Sequence, residues 1–253
     1  MASIRETHII FYDLINARGV SWSPNTYKTR LCLEYKGLAY RTEYLALPDI
    51  EAKMKELGVP PIKETSPQYT LPDYSDNPNG KPHYIGDSFE IAVYLDEKYP
   101  TPQYPSIFKS CTRSLEHLFI HQYLPIIARA GSAVVMPKVA HILDKESIEY
   151  IKRTRGVSFE PLPVEETEEK WKAFRQKFFD VGKSLDYRDE DGPFITGSEP
   201  SIADFAMGGW FHLLEQIDPT ELEKILEWHD GRWRVFWKYI QDIEHRSSRL
   251  TSP

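Results

Sequence analysis

Cysteine is nearly absent: Cys32 and Cys111 are the only two in 253 residues, too few for the disulfide framework that staples small secreted domains. No run reaches the roughly 20 apolar residues that a membrane-spanning helix needs, and the best candidate, over 124–136, is interrupted by Arg129. Positive charge is in deficit, 31 Lys and Arg against 38 Asp and Glu for a formal net charge of -7, the wrong sign for a protein that works by neutralising phosphates. The opening residues are charged and polar where a secretory signal would be apolar. These absences exclude nucleic-acid binding and a membrane span, and lead us to expect an intracellular, cytoplasmic protein. What the chain does have is apolar and aromatic matter. Hydrophobic residues make up 41% and aromatics 13%, with 15 Tyr and 6 Trp, enough to bury a sizeable core at a length between one large domain and two ordinary ones.

The first hundred residues alternate short β-rich runs with helical patterns. Residues 9–12 read as a buried strand, followed by a polar loop over 16–21. Ser23 is placed to cap a helix: Pro24 suits its first turn, Tyr27, Leu31, Tyr35 and Leu38 recur at four, four and three residues, and Gly37 marks the stop. Residues 40–45 are strand-like and 48–57 helix-like. Strands near 69–71 and 83–85 flank the hairpin chemistry of Asp76-Asn77-Pro78-Asn79-Gly80, and Ser88 opens an amphipathic helix. The stretch 100–105 holds three prolines in six residues and reads as a linker. Beyond it only helical periodicity remains, over 107–130, 134–153, 165–185, 201–217 and 232–243. The domains expected are therefore 1–99, a linker at 100–106, and an all-helical unit over 107–253.

Some constellations carry little chemistry. Ser201 and Asp204, in the Ser-x-x-Asp spacing before an apolar periodic run, form a capping-box variant worth about 1 kcal/mol to folding. His117 and His121 stand four apart on a predicted helix but lack a third metal ligand, so a helix face is the reading preferred. Cys32 lies inside the first helix and not at its start, without the electropositive cap that a reactive thiolate wants. The acidic run 165–169 suits a solvated helix start.

The order β-α-β-α-β-β-α followed by helices is that of a thioredoxin-like domain with a helical domain appended, and the chain resembles the cytosolic glutathione transferases in more than this order. Ser23-Pro24-Asn25-Thr26-Tyr27-Lys28-Thr29-Arg30 stands where that family keeps its thiol-activating residue. Thr70-Leu71-Pro72 is similar to its cis-proline strand, Asp87-Ser88 to its glutathione-binding pair, and Ser201-Ile202-Ala203-Asp204 to its helix-capping box. The first of these runs, with Gly80 in a long hairpin loop before Asp87-Ser88-Phe89-Glu90-Ile91-Ala92-Val93-Tyr94-Leu95, most resembles the fungal etherase-like (FuA) class, related to bacterial β-etherases.

The resemblance implies an α/β thioredoxin-like N-terminal domain plus an all-α C-terminal domain, a homodimer, glutathione as cosubstrate and no metal. It implies Ser23 as catalytic residue, donating a hydrogen bond to the glutathione sulfur, with Asn25 assisting and Ser21 a rival for the same role. A hydroxyl, free backbone N–H groups and the helix dipole together favour a thiolate. Lowering a free thiol from ~8.5 by about 1.5 to 2 pH units requires ~2 to 3 kcal/mol. By itself, a Ser before Pro at a helix start is more often only a cap. Leu71 would present its backbone to the cysteinyl part of glutathione through a cis Pro72, although Asp73 departs from the small or apolar residue expected next; without the resemblance Pro72 is an ordinary turn proline. Asp87 and Ser88 would hold the γ-glutamyl end while also capping their helix. An apolar acceptor site between the domains would draw on Trp22, Phe119, Tyr123 and Ile127, the last three sharing a helical face that is equally typical of a core stripe. The function implied is attack by the thiolate on electrophilic aromatic or lignin-derived molecules, with conjugation, ether cleavage and peroxide reduction all open to it. The alternative is a non-catalytic carrier (ligandin) of aromatic molecules such as polyphenols. A regulatory interaction module is the weaker third reading.

Overall fold

Apolar and aromatic residues put β1 (Ile10–Leu14) inside a four-stranded sheet, with Phe11, Tyr12 and Leu14 buried. The structure, a computed structural model, describes residues 9–61, 67–76 and 82–245. β2 (Arg41–Leu45) runs parallel to β1, a pairing that needs a crossover, and α1 (Pro24–Tyr35) supplies it. After a single 3₁₀ turn at Leu47–Asp49 come α2 (Ile50–Glu56), the antiparallel strands β3 (Asp73–Asp76) and β4 (His83–Gly86), and α3 (Ser88–Lys98). The strand order is β2-β1-β3-β4, the mixed sheet of a thioredoxin-like unit. Register decides where chemistry can gather. Tyr12 pairs with Asp73 and Asp73 with Gly86, so the end of β1, the start of β3 and the end of β4 share one end of the sheet.

The rest of the described chain is helical: α4 (Arg113–Leu118), a π-helical turn at Phe119–Tyr123, α5 (Leu124–Val139), α6 (Lys145–Arg155), α7 (Val164–Ser184), α8 (Ile202–Ile217), α9 (Pro219–Leu226) and α10 (Trp228–Glu244). The core of this half is aromatic. Phe174, Phe178, Phe211, Trp233 and Phe236 follow one another with ring centroids 5.2 to 5.6 Å apart. α8 is buried along most of its length and lies against α1, joining the two halves. The Ser201–Asp204 capping box is formed as expected, Asp204 accepting from the Ser201 N–H at 2.9 Å and from the Ile195 N–H at 2.6 Å.

Several expected elements shift. The strand expected over 69–71 begins only at Asp73, because Pro72 has no N–H for a ladder; the Leu71–Pro72 bond before it is cis. Asp76 belongs to β3, and Asn77, Pro78, Asn79 and Gly80 of the expected turn lie outside the described residues. The helix expected over 134–153 is two: α5 ends at Val139, and Asp144 opens α6 by accepting the Ser147 N–H at 2.7 Å. α9 had no expectation attached to it. The last helix becomes regular only at Arg232, since His229, Asp230 and Gly231 all have left-handed φ. Finally, Arg113–Val139 forms 27 continuous helical residues and, contrary to the expectation drawn from Arg129, is long and apolar enough to cross a membrane by length and composition. Its buried residues Leu124, Ile127 and Val134 accompany packing against α7 and α8, as in a core helix.

Candidate active site

Ser23 caps α1 with extended backbone (φ -75°, ψ 128°), and its hydroxyl oxygen accepts the Asn25 N–H at 3.3 Å. The Thr26 hydroxyl donates to the Ser23 carbonyl at 3.2 Å, fixing the turn. The Ser23 side chain is buried, and its own hydroxyl proton is donated to no group among the described residues. A donor at the positive end of a helix dipole is thus available to an anion. Exposed Asn25 adds a side-chain amide that is also without a partner there. Ser21 is placed otherwise. Its hydroxyl donates to Asp13 Oδ2 at 2.8 Å, a carboxylate also held by Arg30 Nη2 at 2.5 Å, and its carbonyl accepts from Gln216 Nε2 at 2.6 Å. Ser21 ties the loop after β1 to α8.

The cis Leu71–Pro72 bond and Asp87 reach the same sheet end from β3 and β4. Leu71 is buried, yet neither its N–H nor its C=O is hydrogen-bonded within the described residues, an arrangement that buried backbone normally avoids unless something docks there. Asp87 adopts a left-handed φ of 72°, which turns the chain into α3 and lets its Oδ1 accept the N–H groups of Phe89 at 2.8 Å and Glu90 at 3.4 Å. Its Oδ2 and the hydroxyl of buried Ser88 have no partner among the described residues. Ser23, Leu71, Pro72, Asp87 and Ser88 therefore gather at one end of the sheet.

The acceptor residues gather less completely. Phe119 and Tyr123 stack at 5.6 Å in the π-helical turn and are half-buried. Trp22 is buried, its indole N–H without an acceptor among the described residues. Ile127 has no exposed surface, so it belongs to the core and lines no open wall.

Four residues escaped sequence reasoning. His121 and His117, read as a plain helix face, pack edge-on against Phe89 at 5.7 and 5.0 Å, directly beside Asp87 and Ser88. Burial pulls His121 below the usual imidazole range, a shift that Asp87 opposes and His117 and Lys28 reinforce. Lys28 is buried, and desolvation lowers its ammonium to about 8 against the opposing pull of Asp87. The available signal was its position: it shares a helical stripe with Cys32, itself fully buried. Asp73 is the fourth, with no exposed surface, neither oxygen partnered among the described residues, and its carboxyl raised by burial to about 8.

Comparison with known proteins agrees over nearly the whole chain. Residues 22–98 match the model of the glutathione S-transferase N-terminal domain, and 114–242 that of the C-terminal domain. The chain is 30% identical to the glutathione S-transferase-like protein ustS of Aspergillus flavus, over 94% of this chain and 91% of that one. Among solved structures it is similar to a glutathione S-transferase of Ceriporiopsis subvermispora crystallised in complex with glutathione, with 31% identity, TM-score 0.82 and coverage of 94% and 98%. It is also similar to glutathione transferase GSTFuA3 of Phanerochaete chrysosporium, with 32% identity, TM-score 0.74 and coverage of 93% and 96%.

Proposed function

The chain belongs to the glutathione S-transferase family, and on that premise we propose that it binds glutathione at the sheet end and uses Ser23 to hold the sulfur as a thiolate. The observation that carries this is the undonated hydroxyl proton of Ser23 at the start of α1. The relative from Ceriporiopsis subvermispora, crystallised with glutathione, supports the ligand. In this reading the free N–H and C=O of Leu71 pair with the cysteinyl backbone as an added strand would. Asp87 and Ser88 hold the γ-glutamyl end, leaving the thiol near Ser23. The Ser23 hydroxyl and the helix dipole stabilise the thiolate, Asn25 assists, and the sulfur lone pair attacks an electrophilic aromatic or lignin-derived molecule resting on Trp22, Phe119 and Tyr123. The etherase-like chemistry, a role in detoxification, a homodimer, a cytoplasmic location and a domain boundary at 100–106 belong to the same reading.

The first test is the melting temperature with and without millimolar reduced glutathione, since a ligand of the native state alone stabilises it by RT ln(1 + [L]/Kd). A clear rise is expected. Ser23→Ala should then keep glutathione binding while losing turnover; turnover equal to wild type would remove Ser23 from the mechanism.

One observation favours a second reading, carriage of aromatic molecules. A surface cavity of about 480 Å³ in the helical half is lined by Phe179 and Trp228 together with Lys172, Arg175, Lys224 and Glu227. Polyphenol binding without glutathione-dependent turnover across several electrophile classes would support it.

A further inference from the structure

Two lysines of α1 lie eight residues apart on one stripe and both are buried, Lys28 and Lys36, with Cys32 between them. Lys36 is fully answered. Its Nζ donates to the carbonyls of Tyr99 and Pro105, each at 2.8 Å, and stands 3.0 Å from Asp96 of α3. Lys28 occupies the equivalent place at the other end of the α1–α3 seam and has nothing comparable: only 6% exposed, it makes no hydrogen bond or ion pair among the described residues. Long helical side chains lean toward the N-terminus, which carries its ammonium toward the Ser23 turn and the start of α3. Of the surrounding charges Asp87 acts on it most strongly. Of the other titratable groups, Cys32 on α1 and His121 of the π-helical turn also interact with Lys28, while Glu90 on α3 and His117 on α4 act on His121.

An unpaired buried ammonium is costly, and here it accompanies three other groups unanswered among the described residues: Asp87 Oδ2, the Ser88 hydroxyl and the Ser88 N–H, the one N–H of the first turn of α3 that Asp87 does not cap. Together these put a buried positive charge and an unanswered carboxylate oxygen at the start of α3, the pattern that an α-amino-acid zwitterion fits. Resting on the glutathione reading above, we propose that Lys28 receives the α-carboxylate of the γ-glutamyl group, together with Ser88 and the start of α3, while Asp87 takes the α-ammonium. Lys28 is in this sense a specificity residue for a free γ-glutamyl end, and it leaves the sulfur to Ser23.

The test is calorimetric titration of wild type and Lys28→Met with reduced glutathione and with γ-aminobutyryl-cysteinylglycine, which lacks only the α-carboxylate. Removing a hydrogen-bonded charge pair should weaken glutathione roughly tenfold or more. The carboxylate-free peptide should bind both proteins alike, and wild type should already bind it roughly tenfold more weakly than glutathione. Lys28→Arg should keep most of the affinity. Unchanged glutathione affinity in Lys28→Met, or an equal loss for both ligands, would overturn the proposal. So would a raised ionisation pH of the bound thiol, read by its ultraviolet absorbance, because Lys28 would then be serving the sulfur. Ligand-free Lys28→Met should melt at or above wild type; a lower melting temperature would make Lys28 a structural cation and end the proposal. Wild type that fails to bind glutathione at all is a separate outcome, which defeats the glutathione reading itself.

Discussion

A Cβ placed on Gly209 would stand 2.4 Å from the carbonyl oxygen of Pro24 and 3.1 Å from its Cα. The backbone of α8 therefore presses directly on the first turn of α1, one residue past Ser23, and the obstacle is backbone that cannot rotate away. In Gly209→Ala either α8 retreats or the Ser23 turn moves. Overpacking of this kind costs about 1 to 3 kcal/mol, so a lower melting temperature is expected, together with a loss of glutathione-dependent turnover. Gly208→Ala is the comparison: its Cβ would meet only side chains, Ile240 at 2.9 Å and Leu31 at 3.4 Å, and no backbone of α1. Equal effects on turnover from the two variants would show that α8 does not position Ser23.

The N-terminal half was readable because its elements carry local chemistry. Ser23 and Pro24 announce α1, Gly37 its end, and the Asp87-Ser88 pair the start of α3. The helical half misled where periodicity crosses a boundary without interruption: apolar residues continue from Val139 to Ile142, and only Asp144 marks the new helix. In the site, polar residues that cap helices were legible, since capping and ligand binding use the same side chains. Lys28 and His121 were not. A lysine in a helix reads as surface until the partner helix is known, and Phe89 meets His121 only after α3 and the π-helical turn have packed together. Ile127 failed the other way, because a shared face in sequence does not say whether a cleft or a core lies over it.

The two serines of the loop should separate by kinetics. Ser21→Ala removes one donor from Asp13, which keeps Arg30 and the Leu14 N–H at 2.6 Å, and Ser23→Ala removes a helix cap. Each should lose about 1 kcal/mol of stability. Only Ser23→Ala should raise the pH at which glutathione-dependent kcat/KM climbs, because the Ser21 proton is committed to Asp13 while the Ser23 proton has no acceptor among the described residues and, on the proposed reading, goes to the sulfur. A shifted pH profile in Ser21→Ala, with Ser23→Ala unshifted, would exchange their roles.

Asp73 makes stability depend on pH in an unusual direction. Its carboxyl titrates at about 8 in the folded chain, raised by burial from the ordinary 3.8. Between these values the folded state holds a proton that the unfolded state has released, so stability falls as pH rises through this window and levels off above it. The slope is at most about 1.4 kcal/mol per pH unit. Asp73→Asn should therefore melt above wild type at pH 8, with the gap closing toward pH 5. Glu116 and Asp204, also raised by burial, to about 7 and about 6, contribute to both proteins and cancel in the difference. A gap constant with pH would mean that Asp73 is ionised and answered in the folded chain.

The two cysteines should differ completely toward thiol reagents. Cys32 has no exposed surface, and burial pushes its thiol well above the ordinary range, so it presents neither access nor thiolate. Cys111 is exposed, in a left-handed turn ahead of α4, with the Ser110 hydroxyl 3.7 Å from its sulfur. Native protein should consume one equivalent of a maleimide and denatured protein two, and Cys111→Ser should take up none while keeping wild-type turnover. Rapid loss of activity on labelling of Cys111→Ser would place Cys32 within reach of the site and reopen a cysteine-driven mechanism. Retained activity leaves the helix-capping hydroxyl of Ser23 as the group that meets the sulfur.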